Sequence, residues 1–229
     1  MQASSMDVFA SPTETVHLPF PDRLEAGRQL ARRLEEYRGQ QPLVLGIPRG
    51  GVPVAREVAE GLDGELDVIV ARKLGAPFQE ELALGAVTAD GGRWLNDELV
   101  EQLGVTPEYL EEVTARQLAE AKRRDSRFRG GAPVPALEGR LVILVDDGLA
   151  TGATMRAAIR AVRTRGARRL VVAVPVAAVD TSRSLAGEVD ELVCLATPEP
   201  FWAVGQYYRN FEAVSDDEVE AILAPVKNR

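Results

Sequence analysis

The segment that most constrains this chain runs from Leu141 to Thr154 and reads LVILVDDGLATGAT. Its apolar start suits a buried parallel strand, and two adjacent carboxylates, Asp146 and Asp147, follow directly. A turn of Gly, Thr and Ala then leads into a predicted helix over Met155–Arg165. A strand that enters a glycine-containing loop before a helix aims backbone N–H groups and the positive end of the helix dipole at one point. The segment therefore predicts an anion site.

The side chains of this loop indicate which anion would bind. Gly148 and Gly152 allow close backbone approach, while Thr151 and Thr154 offer hydroxyl donors to a phosphate. Acids beside a phosphate repel it unless they face sugar hydroxyls or a magnesium ion carried by the ligand. The pattern favours a phosphorylated sugar. An ordinary strand–turn–helix whose acids cap the helix is the alternative.

The segment closely resembles the phosphoribosyl-diphosphate-binding signature of type I phosphoribosyltransferases. The resemblance implies that Asp146 and Asp147 hold the ribose 2- and 3-hydroxyls. It also implies an α/β fold of that type, with a mostly parallel twisted sheet flanked by helices and a helical hood or lid insertion. The 5-phosphate is assigned to the residues that follow the acids: Gly148, Leu149, Ala150, Thr151, Gly152, Ala153 and Thr154.

The rest of the chain alternates strands with helices, which predicts a parallel sheet with right-handed crossovers and a ligand beyond the carboxyl ends of its strands. We expect one domain over 1–229, with a leader at 1–23 and the hood or lid at 96–131. A solvated surface helix would explain the charged part of that insertion equally well. The predicted strands are Leu43–Ile47, Leu66–Ala71, Leu82–Thr88, Arg93–Leu95, Leu141–Val145, Leu170–Val176 and Glu191–Leu195. The predicted helices are Glu25–Arg38, Val52–Gly61, Asn96–Leu103, Pro107–Phe128, Met155–Arg165, Thr181–Glu188 and Asp216–Leu223.

A second loop, in LVLGIPRGG, follows the strand Leu43–Ile47 and carries Arg49 at its tip. Gly50 and Gly51 can present their N–H groups to a ligand at close range. In the resemblance this loop grips the leaving diphosphate. The alternative is a strand–helix turn with a surface arginine.

Two cations, Arg72 and Lys73, follow the predicted strand Leu66–Ala71. Guanidinium groups bind phosphate oxygens bidentately and lysine acts as a point charge. The resemblance implies that both help to neutralise diphosphate, with Lys73 favoured; a surface charge pair is the alternative. The predicted catalytic residues are therefore Asp146, Asp147 and Lys73. Because the connection after Lys73 is short, the role of a lid would pass to 96–129 or to a partner subunit.

The acceptor is less constrained. Phe201 and Trp202 lie after the last predicted core strand, where the resemblance places base-binding residues, and one of them is expected to stack on a flat base. Packing onto the core is the alternative for each. Ala150 stands where relatives that act on 6-oxopurines often carry aspartate, which disfavours a hypoxanthine or guanine acceptor.

Composition excludes several other classes. The net charge of −8 and the pI near 4.9 argue against a general nucleic-acid or anionic-membrane surface. No apolar stretch approaches the roughly 18 residues of a membrane span. The lone cysteine, Cys194, fits a reducing cytoplasm and is expected to be a buried core thiol. His17 is expected to be structural or exposed rather than catalytic.

The resemblance to type I phosphoribosyltransferases implies magnesium-dependent transfer of a phosphoribosyl group from phosphoribosyl diphosphate to a nitrogenous base or related acceptor. The ligand and water, rather than the protein directly, would hold the magnesium near Asp146 and Asp147. The pattern most resembles the predicted phosphoribosyltransferases of bacteria, and a homodimer is compatible with it. A regulator of the same fold that senses nucleotide or phosphoribosyl diphosphate is the main alternative, and a hydrolase of such ligands is another.

Overall fold

The computed structural model describes residues 16–227, with side chains described to residue 224. Its strands are β1 Leu43–Gly46, β2 Glu65–Val68, β3 Ala71–Ala76, β4 Gln79–Thr88, β5 Arg93–Leu95, β6 Leu141–Val145, β7 Arg169–Val176 and β8 Glu191–Ala196. Its helices are α1 Arg23–Arg33, α2 Gly51–Gly61, α3 Asp97–Gln102, α4 Pro107–Arg129, α5 Ala153–Thr164, α6 Val179–Ala186 and α7 Asp216–Lys227. Short 3₁₀ turns lie at Glu35–Tyr37 and Val204–Tyr207.

The central sheet is parallel, with the strand order β2-β1-β6-β7-β8. All five residues of β6 are buried, because helices cover both faces of the sheet. Ile143 packs in the core on the α2 side, and Leu144 packs with Met155 of α5 on the other. The prediction of an α/β fold with a mostly parallel sheet is confirmed.

A second sheet, β3-β4-β5, is antiparallel and separate from the first. This corrects the predicted strand Leu66–Ala71, because β2 ends at Val68 and the chain enters the second sheet at Ala71. Leu66–Ala71 is apolar apart from Asp67, so the sequence contains no signal for the change of sheet. β4 also begins earlier than predicted, because Gln79 pairs with Ala76 across a tight turn.

The second sheet lies between two helices. On one face, Leu74 and Val87 pack against Val113 of α4. On the other, Ala86 packs with Ala153 of α5. The long charged helix predicted at Pro107–Phe128 is therefore a cover over the second sheet.

Several helix ends differ from expectation. The helix predicted to reach Arg38 ends at Arg33, and a 3₁₀ turn follows it and buries Tyr37. The helix α5 begins at Ala153 rather than Met155, because Gly152 adopts φ 72° and provides the turn that starts it. The helix α6 runs over Val179–Ala186, two residues earlier than predicted at each end.

The segment around Phe20 pairs with the segment around Tyr208. Phe20 is fully buried and its N–H donates to the Tyr207 carbonyl at 2.7 Å, so the later part of the predicted leader packs against the segment near residue 208. His17 is exposed, while 1–15 of the leader lie outside the described residues. Within 16–227, no helix is both long and apolar enough to cross a membrane.

Candidate active site

Asp146 and Asp147 lie directly after β6, at the carboxyl end of the central strand of the parallel sheet. The Asp147 N–H donates to Asp146 Oδ1 at 2.9 Å, which fixes the first carboxylate against the backbone of the second. The side chain of Asp147 is only 14% exposed. Two acids are therefore held together at the edge where ligands of such sheets bind.

An arginine from the start of α1 partners the second acid. Arg23 Nε donates to Asp147 Oδ2 at 2.8 Å, and Arg23 Nη1 donates to the Glu212 carbonyl at 2.9 Å. The guanidinium carbon also lies 3.9 Å from the centre of the Phe211 ring. Sequence reasoning missed this contact, which joins residues 124 positions apart.

The two acids differ in their charge environment. Burial raises the pKa of Asp146 well above its ordinary value, and the neighbouring Asp147 carboxylate raises it further. Burial also raises the pKa of Asp147, but Arg23 opposes that rise. Arg23 thus favours the carboxylate form of Asp147 without cancelling the effect of burial, and Asp146 needs a positive charge or hydrogen-bond donors to stay ionised.

The predicted diphosphate loop packs directly on the acid pair. A Cβ on Gly50 would lie 2.0 Å from Asp147 Oδ2, and one on Gly51 would lie 2.7 Å from the Val145 carbonyl oxygen. Only glycine allows this approach at both positions. Arg49, at the tip, is exposed, forms an ion pair with Asp216 at 3.7 Å and follows a cis Pro48–Arg49 peptide bond.

Hydrogen bonds hold the middle of the predicted phosphate loop, whereas Thr151, closer to the helix, is exposed. The Leu149 N–H donates to the Val176 carbonyl at 2.9 Å, and Thr181 Oγ1 donates to the Ala150 carbonyl at 2.5 Å. Leu149 is buried whereas Thr151 is exposed. Because Gly152 has no side chain to cap α5, the first N–H groups of that helix are suited to an anion.

Arg156 stabilises this loop, and the sequence did not predict it as a site residue. Its guanidinium donates to the Thr151 carbonyl at 3.2 Å, to Glu188 at 2.9 Å and to the Ser184 hydroxyl at 2.7 Å. It is 9% exposed. In the sequence it is one of several arginines on a helix, so its burial could not be distinguished from exposure.

Arg72 and Lys73 are not at the end of a parallel strand, because both lie within β3. Arg72 pairs with Val87 in register and donates to Gln117 of α4 at 3.1 Å. Burial is the main cause that lowers the pKa of Arg72, and the positive charges of Arg124 and Arg49 lower it further. Positive charge therefore collects between β3, α4 and the diphosphate loop.

Lys73 lies on the opposite face of β3. It pairs directly with Ala86, and directly opposed residues of an antiparallel pair project to the same face. That face packs against Ala153 at the start of α5. The two cations thus face different helices.

The aromatic residues differ from one another. Trp202 is 78% exposed, whereas Phe201 packs with its ring centre 5.1 Å from that of Tyr207. Cys194 donates to the Ala196 carbonyl at 3.1 Å, and burial raises the pKa of its thiol to about 12. The thiol therefore stays protonated, although Cys194 is partly buried at the edge of the core rather than fully buried in it.

A magnesium ion fits the donor chemistry of the acid pair. Carboxylate oxygens are the hard ligands that it prefers, and it commonly keeps several waters and ligand phosphate oxygens. Asp147 Oδ2 and Asp146 Oδ1 already accept hydrogen bonds, which leaves one oxygen on each acid. The structure thus brings together the acids, Gly50–Gly51 and the phosphate loop, while Arg72, Lys73, Phe201 and Trp202 lie on other elements.

Comparison with known proteins supports this architecture. The family model described as "Phosphoribosyl transferase domain" matches residues 21–210. A Mycobacterium tuberculosis protein named "Putative phosphoribosyl transferase Rv0571c" is 53% identical over 204 residues, which cover 89% of this chain and 46% of the relative. The chain therefore spans about half the length of this curated relative.

A solved structure and a more distant relative extend the comparison. The crystal structure of TT1426 from Thermus thermophilus is 47% identical, covers 91% of this chain and 99% of its own, and superposes with a TM-score of 0.78. An amidophosphoribosyltransferase of Mycobacterium bovis is 28% identical over 182 residues, which cover 72% of this chain and 27% of the relative. By its family match and these likenesses, the chain belongs to the phosphoribosyl transferase domain family.

Proposed function

We propose that this protein transfers a phosphoribosyl group from phosphoribosyl diphosphate to a nitrogenous base or related acceptor, with magnesium, and releases diphosphate. The observation that carries the proposal is the meeting of three features at one sheet edge. The acid pair after β6 contacts the glycine loop after β1, and the uncapped start of α5 follows within the same loop.

The sugar and its 5-phosphate would bind to this loop. Asp146 and Asp147 would each accept a ribose hydroxyl with the carboxylate oxygen left open. The N–H groups at the start of α5, with the hydroxyls of Thr151 and Thr154, would donate to the phosphate. Arg156 and Thr181 keep the loop in place by donating to the Thr151 and Ala150 carbonyls.

Catalysis would depend on charge placement. Breaking the bond between the sugar C1 and diphosphate builds positive charge on the ribose and negative charge on the leaving group. The carboxylates of the acid pair favour the first. The Gly50 N–H group, with Arg49 and Arg72, favours the second, whereas the predicted Gly51 N–H donor already donates to the Ile47 carbonyl at 3.1 Å. Magnesium, when bound with the ligand, would add charge neutralisation to the diphosphate. We also propose that Lys73 contributes positive charge towards the diphosphate.

The acceptor would approach from the C-terminal side of the parallel sheet. The exposed ring of Trp202 and the partly buried ring of Phe201 offer flat surfaces for stacking. Both follow β8 in the chain and are proposed as base-binding residues.

The test is calorimetric titration with phosphoribosyl diphosphate, with and without magnesium, followed by measurement of diphosphate release in the presence of a panel of bases. Magnesium-dependent binding with acceptor-dependent release supports the transferase. Binding without release for any acceptor would favour a sensor, and release without an acceptor would favour a hydrolase. Failure to bind contradicts the proposal.

A further inference from the structure

The Arg23 side chain is enclosed on several sides, although it belongs to the first residue of a surface helix. It is 12% exposed and contacts the Asp147 carboxylate, the Glu212 carbonyl and the face of the Phe211 ring. A guanidinium held on a ring face and by two acceptors has little freedom to rotate. The Asp147 carboxylate is therefore held by a side chain that is itself fixed.

A neighbouring arginine of the same helix shows what an ordinary ion pair looks like here. Arg28 pairs with Glu57 at 3.1 Å and with Glu25 at 3.3 Å, but its side chain is 52% exposed. Exposed pairs of this kind contribute little. Removing one partner of a buried pair has a much larger effect, because it leaves the other charge uncompensated.

A second side chain, Tyr208, also holds the acid loop and joins it to the segment around Phe20. Tyr208 donates through its hydroxyl to the Asp147 carbonyl at 2.6 Å, and its ring packs with those of Phe20 and Phe211 at centroid distances of 5.7 and 5.0 Å. Asp147 is thus held at its carbonyl by Tyr208 and at its carboxylate by Arg23.

The pair also adjoins the diphosphate loop. A Cβ on Gly50 would meet Asp147 Oδ2 at 2.0 Å and Arg23 Nε at 3.3 Å. The hydrogen bond between Arg23 and Asp147 therefore lies against the backbone of Gly50.

We propose that Arg23 is a positioning residue for the sugar subsite: it fixes one oxygen of Asp147, so that the other is presented to a ribose hydroxyl. The inference rests on the proposed function, since it assumes that the acid pair binds ribose. Arg23 acts through Asp147 and has no role of its own in the reaction.

The experiment compares Arg23→Gln with the matched control Arg28→Gln, which removes an arginine from the same helix. Calorimetry measures two probes separately: ribose 5-phosphate, which carries the sugar hydroxyls, and magnesium diphosphate, which lacks them. Arg23→Gln is expected to lower the affinity for ribose 5-phosphate by about tenfold or more and to leave the affinity for diphosphate within about twofold of the wild-type value. Arg28→Gln is expected to change both by less than about twofold.

Arg23→Lys keeps the folded state accessible if the glutamine variant does not fold. Lysine restores the charge but not the planar stacking or the fork-shaped arrangement of donors, so this variant should bind ribose 5-phosphate more weakly than the wild type and diphosphate within about twofold of it. An unchanged ribose 5-phosphate affinity, or an equal loss for both probes, would overturn the positioning role while leaving the transferase proposal intact. If the wild type binds neither probe, the proposed function fails and this inference fails with it.

Discussion

The acid loop after β6 and the cationic segment in β3 look alike in sequence, since each places two like charges after an apolar run. In the structure they are opposites. Asp146 and Asp147 lie side by side at a sheet edge and are fixed by the backbone and by Arg23. Arg72 and Lys73 lie mid-strand in a second sheet, with one facing α4 and the other facing α5.

The difference comes from the strand that precedes each pair. A parallel strand delivers consecutive residues into one loop at its carboxyl end, whereas a strand that continues past its charges sends alternate side chains to opposite faces. The spacing of charged residues alone therefore does not predict where a site lies. The position of the charges relative to the end of the strand is what decides it.

The largest effect should come from the acid loop. Asp146→Asn with Asp147→Asn removes both carboxylates that are proposed to accept the ribose hydroxyls, so calorimetry should detect no binding of phosphoribosyl diphosphate. The matched control, Asp63→Asn with Asp97→Asn, removes two exposed acids and should bind as wild type does. Wild-type affinity in the first variant, with a folded circular dichroism spectrum, would contradict the sugar assignment.

A smaller but still large loss should follow Gly50→Ala. The added methyl would lie 2.0 Å from Asp147 Oδ2, so the carboxylate or the loop must move, and a displacement of about 1 Å costs roughly a hundredfold in a preorganised site. Gly187→Ala is the control, since its nearest neighbour would be 4.0 Å away. If both variants bind the ligand equally well, the two loops do not form one site.

The cationic segment should give a graded result. Arg72→Gln is expected to weaken magnesium diphosphate by about fivefold, because Arg72 lies with Arg49 and Arg124 where positive charge collects. Lys73→Gln should weaken it less, since Lys73 lies on the other face of β3. A larger loss for Lys73→Gln would show that the diphosphate binds on the α5 side.

The stability of the free protein should depend on pH through Asp146. The pKa of Asp146 is raised in the folded protein. Its protonated carboxyl group therefore contributes its full share to the free energy of unfolding below the unfolded pKa near 3.9, and that contribution is lost as the pH rises through the folded pKa. Asp146→Asn should therefore become more stable relative to wild type as pH rises from 4 to 8, by about 1.4 kcal/mol for each pH unit that separates the unfolded from the folded pKa. Urea unfolding across that range measures it, and a constant difference would contradict a raised pKa.

The smallest effect concerns Cys194. Because burial raises its thiol pKa to about 12, the native protein should react with a thiol reagent at pH 8 far more slowly than the urea-unfolded protein does. Equal rates in both states would show that this part of β8 opens readily.

Local patterns predicted β6, its loop and α2 nearly to the residue. In each case an apolar run indicates a buried strand, and the polar residues and glycines that follow indicate where the strand ends in a turn. They did not predict the contact of Arg23 with Asp147 or that of Tyr208 with the same residue. These join positions 124 and 61 residues apart, and nothing in the spacing of either residue marks its partner. The second sheet was missed for a related reason, since pairing of β3 with β4 leaves no trace in the apolar run Ile69–Ala71.

The central claim is that the loop between β6 and α5 binds phosphoribosyl diphosphate. A thermal-shift titration with that ligand and magnesium tests it most directly, run beside the Asp146→Asn, Asp147→Asn variant. At a hundredfold excess over Kd, a ligand that binds only the native state stabilises it by about 2.7 kcal/mol, which should raise the wild-type Tm by roughly 5 °C or more. We expect that rise in the wild type and none in the variant. An equal Tm change in both proteins, or none in either, would contradict the assignment of this site.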